Sequence, residues 1–173
     1  RAIRGVARDG LDKATMKTIA ADAGLNEAYY RCFESKEALL RDAFHMENVN
    51  FAYFLKQQFP AMHDDDTPWK SRAFRLWSVN WRFIFERCDD YCFYIRYYYS
   101  ANCRKHAYKE HLEYFQELFS AMRQVFRPEA NVGMLLHQVI DTMLSFAARV
   151  IGGETPDNDE TVCWAFEQIY SFV

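Results

Sequence analysis

Cys88 and Cys92 stand one helical turn apart and are followed by Cys103, His106 and His111, donors from which a thiolate and imidazole metal site is conceivable. Buried structural cysteines and surface histidines account for the same residues more economically, and none of the five cysteines forms a CxxC pair. No metal or cofactor is therefore expected, and reduced thiols are the default reading. A redox role for Cys88, Cys92 or Cys103 would require an exposed thiol of lowered pKa. His137 and Asp141, one turn apart, suit a polar patch or an orienting pair, but no Ser or Cys is placed to exploit them in hydrolysis. These groups do not make an enzyme.

A second set of polar groups lies between Thr15 and Leu40. The Asn26 amide can pair with adenine and the Glu27 carboxylate with cytosine, while Ala28 and Tyr29 could face a groove beside them. Tyr30 is better suited to touching the backbone of a nucleic acid. Thr15 and Lys17, and Lys36 with the Ser35 backbone, fall at helix starts, where free N–H groups and the helix dipole favour phosphate.

The elements that must hold these groups are legible. Thr15 can cap a helix over Met16–Ala23, whose Ile19, Ala20 and Ala23 share one small apolar face. Gly24 supplies the positive φ that ends it, Leu25 can plug the angle, and Asn26 can cap a short second helix from Glu27 to Cys32. Phe33 anchors that helix, Ser35 caps the next, and Glu37 meets the positive end of its dipole. Two short helices about a glycine turn, followed by a capped third, form a helix-turn-helix.

At these residues the chain resembles the TetR family of transcriptional regulators, on Thr15, Ile19-Ala20, Ala23-Gly24, Tyr30-Arg31-Cys32-Phe33 and Ser35-Lys36-Glu37-Ala38-Leu39-Leu40. Ala2, Ile3 and Val6 match the last apolar positions of the family's first helix, and Gly10-Leu11 its exit. The spacing from Gly24 to Phe33 is one residue shorter than is typical, a rotation of about 100° on a helix. The resemblance implies an all-α protein with an N-terminal helix-turn-helix DNA-binding domain over residues 1–45. Residues 46–173 would form a C-terminal helical bundle for ligand binding and dimerisation. It further implies a repressor that binds a near-palindromic double-stranded operator and is released by a small-molecule effector. A helical ligand-binding or protein-interaction module of the same fold that does not read DNA is the alternative.

Composition agrees. Half of the 173 residues are apolar, with no uninterrupted run able to span a membrane, and six Gly and four Pro suit helices better than many strands. A soluble cytoplasmic protein is expected. A net charge of −3 excludes a surface that is basic throughout, so the DNA expectation rests on the motif and not on charge.

Past Leu40 the pattern predicts helices over 36–58, 69–88, 91–102, 104–126, 131–151 and 159–173. Asn131 and Asp159 are the expected caps of the last two, and Asp89 or Asp90 of the third. The last two carry broad apolar surfaces, including Leu135, Val139, Met143 and Ala147 and then Ala165, Phe166 and Ile169, wider than one neighbour needs. The resemblance implies a homodimer through these helices. The middle of the chain is aromatic, and large ligand pockets combine aromatic walls with a few polar groups. Trp77, Trp81, Phe85, Tyr94, Tyr97, Tyr114 and His137 are thus the candidates to line a cavity for an aromatic or lipophilic effector.

Overall fold

The computed structural model describes residues 2–24, 32–58, 60, 66–121 and 131–170. Nine helices occur among them: α1 (Ala2–Asp9), α2 (Met16–Ala23), α3 (Lys36–Gln58), α4 (Trp69–Glu86), α5 (Cys88–Tyr98), α6 (Ala101–His106), α7 (Tyr108–Ala121), α8 (Val132–Ile151) and α9 (Asp159–Tyr170). No strand occurs among the described residues, and the fold class is all-α.

The helix ends follow local hydrogen-bonding chemistry. Thr15 and Thr18 cap α2 reciprocally: the Thr15 hydroxyl accepts from the Thr18 N–H at 3.1 Å and the Thr18 hydroxyl from the Thr15 N–H at 2.8 Å. Gly24, at φ 65°, closes the same helix by donating its N–H to the carbonyls of Ala20 and Ala21. The Ser35 hydroxyl accepts from the Ala38 N–H at the start of α3, and the Asn131 side chain from the Met134 N–H at the start of α8.

Several boundaries differ from the sequence expectation: the helix read over 69–88 ends at Glu86, and the one read over 104–126 is divided at Ala107, which closes α6 before α7 begins. Asn158, not Asp159, caps α9, its side-chain oxygen accepting from the Thr161 N–H at 2.9 Å, and Asp159 becomes the first helical residue. Asp89 and Asp90 lie inside the first turn of α5, where their charge suits the dipole, instead of capping it. The helix expected over 91–102 stops at Tyr98 because the Ser100 hydroxyl accepts from the Cys103 N–H and starts α6 afresh.

The chain divides into two compact units. The first comprises Arg1–Asn50 and Arg87–Leu112, and in it α1 packs against α2 and α5. Val6, Ile19, Leu40 and Phe44 are buried there with Tyr91, Phe93, Tyr94, Tyr97 and Tyr98. The Phe44 ring stacks on Tyr94 at 4.7 Å and meets Tyr97 at 5.0 Å. Contacts of this kind contribute about 0.5–1.5 kcal/mol each beyond the area they bury.

The second unit comprises Phe51–Glu86 and Glu113–Val173, with α4 packed against α8 and α9 and those two against each other. Its core holds Trp77, Trp81, Ile84, Phe115, Ile140, Met143, Leu144, Ala147, Phe166 and Ile169. Phe74 meets Phe166 edge to face at 5.2 Å, and Phe54 stacks on Phe83 at 4.0 Å. In α8 the stretch Gly133–Ile151, although interrupted by Asp141 and Arg149, is long and apolar enough to cross a membrane by length and composition, and 29 % of that window is buried within the chain.

Candidate functional site

In the first unit, the two reciprocal hydroxyls fix where α2 begins and therefore where Thr15 and Lys17 stand. Both residues are exposed at that helix start, where the dipole favours an anion. Lys36 is half-buried at the start of α3, and its ammonium donates to the Leu11 carbonyl at 2.7 Å, tying the turn after α1 to α3. An ammonium carries three donors, so two remain for other acceptors. Asn26, Glu27, Ala28, Tyr29 and Tyr30 lie outside the described residues.

The polar partners that hold this unit together are long-range. The Glu37 carboxylate accepts from the Tyr97 phenol and from the Asn102 amide, each at 2.6 Å. Burial, and then the hydrogen bond to Glu37, push the Tyr97 phenol above its ordinary range. The Tyr94 phenol donates to the Asn48 side-chain oxygen at 2.8 Å, and His111 Nδ1 lies 2.9 Å from that oxygen and 3.1 Å from the phenol. All three residues are buried. Desolvation likewise pushes the Tyr94 phenol well up, so it remains a neutral donor.

In the second unit, Trp77, Trp81 and Phe85 follow one another along α4, with ring centroids 6.3 Å and 5.1 Å apart. Trp77 is buried and donates its indole N–H to the Val162 carbonyl at 3.1 Å. Trp81 donates to Asp157 Oδ1 at 3.0 Å. Trp81 and Phe85 line a half-open cleft of about 820 Å³, together with Phe74, Ser78, Arg82 and Glu86 of α4 and Asp157, Asn158, Asp159, Val162 and Cys163. That volume suits a drug-sized molecule.

Of the seven aromatic and histidine candidates, this cleft gathers Trp81 and Phe85. Trp77, Tyr114 and His137 belong to the same unit but not to the cleft wall, and Tyr94 and Tyr97 belong to the first unit. Arg82, Asp157 and Asp159 escape the sequence reading because the acidic pair stands in a segment read as loop and helix cap. The pairings of Trp81 with Asp157 and of Trp77 with Val162 bring that segment to α4.

The cysteine and histidine set does not converge. His111 belongs to the buried network with Asn48, Cys103 is fully buried and His106 is exposed. Among the described residues no three His, Cys, Asp or Glu side chains group as metal ligands. Burial pushes the Cys103 thiol up to about 12, so it is not a nucleophile at neutral pH.

A TetR family transcription regulator from Marinobacter aquaeolei VT8 superposes with a TM-score of 0.76 at 20% sequence identity, over 98% of this chain and 89% of that one. The fold is that of a TetR family regulator. A proposed fatty acid metabolism regulator of Clostridium perfringens shares this TetR-type fold at a TM-score of 0.65 and 15% identity, over 100% of this chain and 98% of that one. No family model and no curated protein matches the sequence.

Proposed function

We propose that the protein is an effector-responsive transcriptional regulator, a repressor that binds a near-palindromic operator as a homodimer and is released by a small molecule. The observation that carries this reading is the doubly capped α2, closed by a left-handed Gly24 and followed by the Ser35-capped α3, within a TetR-type fold. Functionally the chain divides into a reading head over residues 1–45 and a body over 46–173, a division that cuts across the first compact unit. Asn26, Glu27, Ala28 and Tyr29 would read base edges, with Thr15, Lys17, Tyr30 and Lys36 on the phosphate backbone. Such a protein works in the cytoplasm.

Dimerisation through α8 and α9 is supported by the large unburied share of α8. It is supported also by Met134 and Trp164, which are 66 % and 55 % exposed. A second copy covering this face would place one head on each half-site. The effector would be aromatic or lipophilic, in keeping with the aromatic wall of the α4 cleft and with the role proposed for the Clostridium perfringens neighbour. A ligand that fits a non-binding conformation better shifts the population toward it.

Fluorescence anisotropy of the full protein tests the proposal, using DNA flanking its own gene and a scrambled control at two salt concentrations. Tight binding to one segment, weakened by salt, is the expected result. Equal weak binding to both favours the second reading, a ligand-binding or protein-interaction module. The shortened Gly24–Phe33 spacing and the net charge of −3 support that alternative.

A further inference from the structure

Cys88 opens α5 and is exposed, and Cys92 lies one turn later, half-buried on the same face. Their sulfurs are 4.0 Å apart. Metal–thiolate bonds are about 2.3 Å long, so an ion held equally by both sulfurs at this separation subtends an S–metal–S angle of about 120°, between the tetrahedral and linear arrangements. We propose that Cys88 and Cys92 form a two-sulfur binding site for a soft monovalent cation of the copper(I) class.

The donor set selects this class. Zinc in a structural site takes four ligands, and among the described residues no third His, Cys, Asp or Glu side chain joins the pair, whereas soft thiolates alone satisfy copper(I). A disulfide would require the sulfurs to close to about 2.05 Å within a regular helical turn, and would need an oxidant as well. Asp89 and Asp90 occupy the same first turn but are paired with arginines, Arg4 at 3.4 Å and Arg87 at 3.0 Å, so the two sulfurs and not these carboxylates would hold the ion. Binding replaces two S–H protons by two sulfur–metal bonds: one monovalent cation enters, two protons leave, and no electron is transferred.

The site can be tested without an operator. The full chain, reduced and under anaerobic conditions, is titrated against the coloured bicinchoninate complex of copper(I). The expected result is withdrawal of one equivalent, with a thiolate-to-copper charge-transfer band in the ultraviolet. Cys88→Ser and Cys92→Ser should each weaken binding by at least about tenfold and abolish the band, with unchanged helical circular dichroism. A Cys32→Ser, Cys163→Ser double variant, which removes two other exposed thiols, should retain the full equivalent. Wild-type behaviour of either Cys88→Ser or Cys92→Ser, or loss of binding in the double variant, overturns the proposal.

Discussion

Thr15 illustrates how one hydroxyl serves position and contact together. It accepts from the Thr18 N–H, so its removal frees that backbone donor at the start of α2, while the Thr15 N–H keeps the Thr18 hydroxyl. Thr15→Ala should cost about 1 kcal/mol, a fall in Tm of roughly 2–4 °C for a chain of this size. Calorimetry of the two proteins checks this, and an unchanged Tm would mean that water replaces the cap at no cost. Glu47 makes the opposite demand. It is buried against Arg87 at 3.0 Å, and desolvation outweighs that guanidinium, holding the carboxyl above its ordinary 4.5. The folded state therefore holds this proton more tightly than the unfolded state. The resulting contribution to stability is fully present below pH 4.5 and is lost as pH rises through the raised folded pKa. Glu47→Gln, which keeps an oxygen acceptor for Arg87, should raise Tm relative to the parent more near neutral pH than near pH 4. A difference independent of pH would refute the buried-charge argument.

Among the elements, α8 and α9 carry the assembly question. They pack together, with the Phe146 and Trp164 rings perpendicular at 5.4 Å, yet Trp164 stays largely exposed. An exposed Trp on an apolar helix pair is the residue type that dominates association energies. Trp164→Asp should weaken the proposed dimer by at least about tenfold, which is about 1.4 kcal/mol. Sedimentation equilibrium would then show the mass shifting toward one chain while the helical circular dichroism is kept. A dimer mass unchanged at micromolar concentration would assign the interface to other helices. The short α6 shows why element boundaries respond to one residue: Ser100 offers the backbone a capped start, and the helix before it ends at Tyr98.

For the whole molecule the prediction is one of linkage. If an effector in the α4 cleft and the operator favour different conformations, each lowers the affinity of the other by the same factor. Anisotropy titrations of operator with and without effector, set against Trp quenching titrations with and without operator, must return equal ratios. Phe85 is half-buried in the cleft wall, so Phe85→Ala should weaken effector binding by about tenfold while operator affinity without effector is unchanged. Unequal ratios would separate the cleft from DNA release.

What the amino-acid order determined by itself is local. The bounds of α2 and α3, the Gly24 stop, the Ser35 and Asn131 caps and the all-helical class are written in residues three or four positions apart, because a cap hydrogen bond closes within one turn. The helices that flank the expected helix-turn-helix turn, α2 and α3, are legible for the same reason. Only the tertiary structure decided which aromatic residues share a cavity, that Lys36 reaches the Leu11 carbonyl, that Glu37 gathers Tyr97 and Asn102, and that Trp81 meets Asp157. Those partners are separated by 25 to 76 positions. A helical period specifies which face is apolar but not which other helix covers it, so such pairings appear only once the packing is in place.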